Sequence, residues 1–460
     1  MENPPVETLP TESSPLINGT ARPRSDRARY VRLAVRAGLI LLFVIALFLM
    51  LFLVEGVHEG GERGGRGRWT DRLPKDPRKA AEILLDRAPV IDGHVDLPWL
   101  VRYTDANNVS SIDLSKTMPG HVDIPRLRKG KVGAFFWSVY VPCPADEGLE
   151  DGDDFTTATW RVRDTLEQID ISHLLIEKFS DTFSLARTAA DIKSAISTGK
   201  IAGIIGLEGG HHLGNSISTL RTYYQLGARY LTLTHTCNNP FATSSGMVPH
   251  LTPESIVESQ GLSPLGLALV REMNRIGMLV DLSHVSDATA LDALNATRAP
   301  VIWSHSSSRS LRNIPRNVPD EVIQHVGFGA GKVDAVVMVN FAPSFISDNA
   351  DDADVKGVAD HVDHFAKVIG AAHVGIGSDY DGIPSTPHGL EDVSKYPALI
   401  AELLSRGWSA RDLAGLTGGN LLRVLEGAER VAAQMQREGV PPASEIYDKR
   451  PDLPMHGGEL

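Results

Sequence analysis

Histidines and carboxylates recur in this chain at one kind of place, the end of a short apolar run. The first case is VIDGHVD, residues 90–96, where His94 and Asp96 stand two residues apart. In an extended strand, residues i and i+2 face the same side, so an imidazole nitrogen and a carboxylate oxygen converge on one point. That pair suits zinc or a similar divalent ion. The device repeats: IAGIIGLEGG carries Glu208, YLTLTH ends in His235, MLVDLSH delivers His284 and VIWSH delivers His305. A last run, VGIGSDYDG, presents Asp379 with Asp381 two residues on. Singly, each is more often a polar strand end than a ligand. As a set, His94, Asp96, Glu208, His284 and His305 suit two ions that share one carboxylate. Such ions sit about 3.5–4 Å apart and hold a bridging hydroxide that is nucleophilic at neutral pH.

These side chains meet only if their strands end on one face. From about residue 76, apolar runs at 90–96, 132–139, 201–208, 230–234, 279–282, 301–303, 335–340 and 374–377 read as strands. Helical patterns at 156–179, 264–276, 287–295 and 355–369 lie between them. The alternation predicts a parallel (β/α)8 barrel of the TIM type, with a doubly wound sheet as the alternative. Polar residues at strand ends spread along the whole sequence favour the barrel, whose strand ends form one ring. A helix over 421–438 and a Pro-rich end follow, without the apolar tail of a lipid-anchor signal.

Other polar residues take blander expectations. His211 and His212 lie just past Glu208, as supporting or loop residues, and His121, His173, His325, His361, His364 and His373 are expected to be solvated. Ser306, Ser307 and Ser308 lack a G-x-S-x-G elbow. Asp351, Asp352 and Asp354 lack the Gly and terminal Glu of a calcium loop and read as an acidic helix N-terminus.

The 460 residues are 42% hydrophobic with net charge −12, ample for a large core and unfavourable for nucleic acid as a partner. Residues 37–54 form an apolar run of membrane-spanning length. Arg22, Arg24, Arg27, Arg29, Arg32 and Arg36 precede it, and Glu55, Glu59 and Glu62 follow. The positive-inside rule predicts a single-pass type II membrane protein: a disordered cytoplasmic tail (1–36), a transmembrane helix (37–54), a flexible stalk (55–75) and an extracellular or lumenal catalytic domain (76–460). Glu12 with Leu16 and Ile17 has acidic-dileucine spacing, a hint of vacuolar or endosomal routing. Asn108 and Asn295 head glycosylation sequons on the lumenal side, whereas Asn18 lies on the cytoplasmic side.

The residues resemble the membrane dipeptidase (renal dipeptidase) family across about residues 80–431. The shared segments are IDGHVD, FFWSVYVPC, GLEGGHHLG, YLTLTHTCNNPFA, GLSPLG, DLSHVS, WSHSSSRSL, RNVPD, GIGSDYDG and GLTGGNLLRV. The resemblance implies a (β/α)8 barrel with two zinc ions that hydrolyses dipeptides. It implies His94 and Asp96 on one ion, His284 and His305 on the other, and Glu208 bridging. It further implies that His235 touches the substrate and polarises the scissile carbonyl. Arg316 would bind the substrate's free carboxylate, and Asp379 would handle protons at the leaving amine. Amidohydrolases with His-x-His and a bridging lysine fit less well; a related two-metal hydrolase of another small amide or lactam, or a catalytically inert surface binding protein, are the alternatives. Animal members carry a C-terminal lipid anchor, whereas this chain has the apolar run at 37–54. The segment between His305 and Arg316 lacks the cysteine expected there in animal homologues, which leaves a non-covalent homodimer open. The two cysteines, Cys143 and Cys237, follow the strands at 132–139 and 230–234 and are expected to pair in an oxidising compartment.

Overall fold

Nine strands run Val90–Val95 (β1), Val132–Val139 (β2), Phe183–Leu185 (β3), Ile201–Glu208 (β4), Ala228–Thr232 (β5), Leu279–Asp281 (β6), Val301–Trp303 (β7), Ala335–Val339 (β8) and Val374–Ile376 (β9). The computed structural model describes residues 73–143, 160–246 and 261–448. The expected tail, the apolar run at 37–54 and all but the end of the stalk lie outside the described residues. Leu73, at that end, packs on the core. Among the described residues, no helix is long and apolar enough to cross a membrane.

Every pairing is parallel, and the circuit β2-β1-β9-β8-β7-β6-β5-β4 closes through β2–β4 into an eight-stranded barrel. The strands are buried along their whole length, as expected of parallel strands covered on both faces. Their alternating side chains sort into two clusters. Phe135, Trp137, Ile205, Leu207, Val337 and Val339 pack with helix residues such as Leu175, Leu269 and Val358. Phe136, Ile204, Tyr230, Ile302 and Met338 line the barrel with Leu421, Val424 and Leu425 of the last helix, Asn420–Arg437. Gly206 makes room in that lining, since a Cβ there would lie 2.1 Å from the Tyr230 ring.

The ninth strand, β3, is not among the sequence expectations. One edge of β4 pairs with β2, and the other is divided between β3 over residues 201–203 and β5 over residues 205–208. Three residues suffice to cover that half-edge. The expected helices at 264–276 and 355–369 form as Pro264–Ile276 and Val355–Ile369. The helix expected from 156 is described as Arg161–Lys178. Asp354 caps the helix Val355–Ile369, accepting from the backbone N–H groups of Lys356 and Gly357.

Candidate active site

The barrel brings the ligand-type residues together around one oxygen, Glu208 Oε1 at the end of β4. His284 Nε2 lies 3.1 Å from it, His305 Nε2 3.3 Å, His94 Nε2 3.6 Å and His235 Nε2 3.8 Å. His94 Nε2 also faces Asp96 Oδ2 at 3.2 Å and Asp379 Oδ1 at 3.9 Å. His94 is inside β1 and Asp96 directly follows it, Glu208 ends β4, and His235, His284, His305 and Asp379 sit two or three residues past β5, β6, β7 and β9. All face the C-terminal mouth, where a parallel barrel carries its chemistry.

Two of the rings are oriented from behind. His94 Nδ1 meets Tyr230 Oη at 2.8 Å, and His305 Nδ1 meets Ser304 Oγ at 2.8 Å. Asp281, at the end of β6, accepts from Ser304 Oγ, Ser304 N, Ser283 N and Thr232 Oγ1. Asp92 does the same for β1 and β9, accepting from His94 N, Ser378 N and Tyr396 Oη. His284 and Asp379 take left-handed backbone conformations, φ 63° and 66°, uncommon for side-chain-bearing residues. Asp379 N donates to His94 O, and Asn340 Nδ2 donates to Asp379 Oδ2 at 2.8 Å. Asp381 turns aside, accepting from His121 N while its own N–H donates to His121 Nδ1.

Burial governs the charges. It holds His235, His284 and His305 well below the ordinary histidine pKa, so their rings are neutral. Burial opposes charge on His94 too, but Tyr230, Asp96 and Glu208 around it raise its pKa well above that of free histidine. Asp96 and Asp379 are pushed up to about 6 by burial, and Glu208 shifts upward for the same reason. His94 Nε2 and Asp96 Oδ2 are buried without hydrogen-bond partners. Three donor groups overlap here: His94 with Glu208 and His305, Glu208 with His235 and His284, and His94 with Asp96 and Asp379. Neutral imidazoles, shared carboxylates and unpaired buried donors fit divalent ions of the zinc type. These groups cut across the expected pairing of His284 with His305, although those two Nε2 atoms are themselves 3.0 Å apart.

The site opens into a cavity of about 370 Å³ lined by Asp96, Glu208, His235, His284, Arg316 and Asp379 together with Trp99, Tyr140, Phe345, Ile383 and Pro384. Arg316 is 4% exposed, with Nη1 donating to Ser306 Oγ at 3.0 Å, Nη2 to His305 O at 2.8 Å, and Nε unpartnered. Burial lowers its pKa to about 10, which leaves it cationic at neutral pH.

Cys143 and Cys237 form a disulfide that ties the exits of β2 and β5, with Cys143 Sγ 4.0 Å from His235 Nδ1. His211 and His212 are fully buried and clamp the β2 exit. His211 Nε2 donates to Val141 O at 2.7 Å, and His212 Nε2 accepts from Val141 N at 3.2 Å. Two expectations of solvation fail. His361 is buried between Ser308 N and Ile346 O, and His373 is buried with Nδ1 donating to Ala335 O. Their partners lie far away or on another element, so local polarity gave no warning. Tyr230, Asp281 and Asp92 were missed as supporting residues. A carboxylate inside an otherwise apolar strand was the available signal for the two aspartates. Asn108 and Asn295 are both exposed.

A sequence model of the membrane dipeptidases (peptidase family M19) matches residues 78–439. Among solved structures, the metallopeptidase of Rhodobacter sphaeroides, liganded with a phosphinate mimic of the dipeptide L-Ala-D-Ala, is 27% identical with TM-score 0.64. That match covers 74% of this chain and 99% of that one. A dipeptidase named AC, of the same family, is 27% identical with TM-score 0.63 over 74% and 98%. The probable dipeptidase PvdM of Pseudomonas aeruginosa, 22% identical with TM-score 0.66 over 78% and 100%, shares the fold.

Proposed function

The chain belongs to the membrane dipeptidase family, and from that premise we propose a binuclear zinc dipeptidase that cleaves dipeptides with a free C-terminal carboxylate. The observation that carries this reading is the convergence of His94, Asp96, His284 and His305 on Glu208 beside the buried cation of Arg316. His94 and Asp96 would hold one ion and His284 and His305 the other, with Glu208 within reach of both. When bound, the ions supply Lewis acidity and bring the pKa of water down to about 7, so that a nucleophile exists at neutral pH.

The chain's own groups do the rest. Arg316 fixes the substrate carboxylate, a task for a planar cation whose other donors are already held. His235, neutral and 15% exposed at the cavity wall, donates to the scissile carbonyl oxygen as negative charge gathers there. Asp379 takes the proton released by the attacking water and returns it to the leaving amine. Burial raises its pKa to about 6 in the metal-free site, and cations bound beside it would favour the ionised form that accepts a proton. Trp99, Tyr140 and Phe345 supply the apolar wall against which a substrate side chain excludes water. The same reading anchors the enzyme by residues 37–54 and places its catalytic domain outside the cytoplasm, with Asn108 and Asn295 available for glycans.

The test is a panel of dipeptides with the purified enzyme, before and after chelation and zinc replacement. L-Ala-D-Ala belongs in it, because the Rhodobacter sphaeroides neighbour holds a mimic of that dipeptide. Hydrolysis lost on chelation and restored by zinc is expected. Hydrolysis indifferent to chelator, or equal rates on a dipeptide and its C-terminal amide, would overturn the reading.

A further inference from the structure

Beside the cavity lies a second set of ligand-type atoms that hydrolysis leaves unused. Cys143 Sγ, Cys237 Sγ and a ring nitrogen of His211 all lie within 4.8 Å of one another. His211 is fully buried, and its Nε2 stands 2.7 Å from Val141 O, an atom that only accepts. Nε2 therefore carries the hydrogen and Nδ1 holds the bare lone pair. Nδ1 is buried without a hydrogen-bond partner. An imidazole with one nitrogen donating to a backbone carbonyl and the other offering its lone pair has the arrangement of a metal-bound histidine. Gly209 makes the space for that edge of the ring, since a Cβ there would lie 2.4 Å from Nδ1 and Cε1. In the oxidised chain the two sulfurs are bonded to each other, and neither is an anion.

We propose that opening the Cys143–Cys237 disulfide uncovers a zinc site built from two thiolates and His211 Nδ1, separate from the hydrolytic centre. A dithiol reductant supplies two electrons and two protons; the disulfide becomes two thiols, and the reductant becomes a disulfide. Zinc then takes both sulfurs as thiolates, and the two thiol protons pass to solvent. Two sulfurs and an imidazole select zinc over hard cations such as magnesium or calcium, with water in the fourth position. The frame stays in place when the bond opens. Both backbone groups of Val141, two residues before Cys143, are held by His211 and His212. Tyr223 Oη in turn donates to His212 O at 2.9 Å.

The experiment compares the full-length chain, oxidised and reduced with a phosphine, after equilibration with zinc and exchange into metal-free buffer. Bound metal is counted, and cobalt is substituted to read thiolate-to-cobalt absorption. Reduction is expected to add one ion per chain over the oxidised count, whatever that count is, together with the absorption. The Cys143→Ser, Cys237→Ser double variant should show neither. His211→Gln, with unchanged circular dichroism, should weaken the added ion by about tenfold or more. The proposal is overturned if the folded, reduced chain gains no ion, if reduction unfolds it, or if His211→Gln holds the added ion as tightly as the parent.

Discussion

Ser304→Ala isolates the contact that decides which nitrogen of His305 carries hydrogen. Ser304 Oγ donates to Asp281 Oδ2 at 2.6 Å and lies 2.8 Å from His305 Nδ1. A hydroxyl has one hydrogen; with it committed to the carboxylate, Oγ accepts from Nδ1–H. Nε2 is then the bare nitrogen, 3.3 Å from Glu208 Oε1. Without the hydroxyl, Asp281 still accepts from Ser304 N at 2.8 Å, Ser283 N at 3.1 Å and Thr232 Oγ1 at 2.6 Å, so the barrel should fold. The Nδ1–H group, in contrast, is stranded at 0% exposure, which costs about 1–3 kcal/mol. The ring escapes that cost by moving its hydrogen to Nε2, where Glu208 accepts it, and a metal ion must then reverse the move. The expected loss is about 10–100-fold in affinity for the ion His305 holds, or ~1.4–2.7 kcal/mol. Zinc competition against a chromophoric chelator measures it, with the metal-free thermal midpoint as the check on folding. Nitrogen NMR of the imidazoles reads the tautomer. Parent-like affinity in Ser304→Ala, or an Nε2-protonated His305 already present in the metal-free parent, would refute the reasoning.

Other substitutions separate the remaining roles. Glu208→Gln keeps the side chain's size and removes the shared charge; metal content and turnover should both collapse, and full zinc occupancy with normal rates would end the site assignment. Arg316→Lys loses the planar fork and should raise KM for dipeptides far more than it changes metal content, which steady-state kinetics and metal analysis together resolve. Asp379→Asn should keep the metals and lose about 10²–10⁴ in kcat; metal loss in step with activity would make Asp379 a ligand or a support instead. His361 gives a pH dependence. Burial lowers its pKa to about 4, below the ~6.5 of an unfolded chain, so only the unfolded state takes up the proton between those values. Stability should therefore be full above about pH 6.5 and fall by up to about 3 kcal/mol as pH drops toward 4. Urea midpoints of the parent and His361→Gln across that range should show a shallower slope in the variant, and equal slopes would count against it.

The barrel was legible in the sequence because parallel strands buried on both faces leave continuous apolar runs, and seven of the runs end near His, Asp, Glu or Asn side chains. The run at 201–208 needed no adjustment, whereas 230–234 is displaced to Ala228–Thr232, since Leu233 and Thr234 already belong to the turn that carries His235. β3 escaped notice because FSL is too short to show a period and its stability is borrowed from β4. The seven residues that converge at the barrel mouth, His94, Asp96, Glu208, His235, His284, His305 and Asp379, stand out in the sequence by type and position. Their support does not, because Tyr230 reaches His94 across 136 residues and Asp92 reaches Tyr396 across 304. Arg316 came from resemblance alone; its hydrogen bonds to Ser306 and His305 depend on how the loop after β7 folds back. The positive φ of His284 and Asp379 has only a weak local signal, since Asp and His are enriched in the left-handed region yet few of them adopt it.

The closing seam of the barrel, where Asp92 of β1 meets Ile376 of β9, sets a clock on the birth of the enzyme. At about 5–20 residues per second, a ribosome makes β9 on the order of 15–60 s after β1. Through that interval His94 and Asp96 exist without Asp379, and β1 keeps one edge open. A nascent chain halted before residue 374 already carries the five proposed ligands but lacks Asp379 and offers a bare strand edge, the kind of surface on which unfinished chains stick to one another. The seam therefore ties the completed barrel mouth, with Asp379 3.9 Å from His94, to the last part of synthesis.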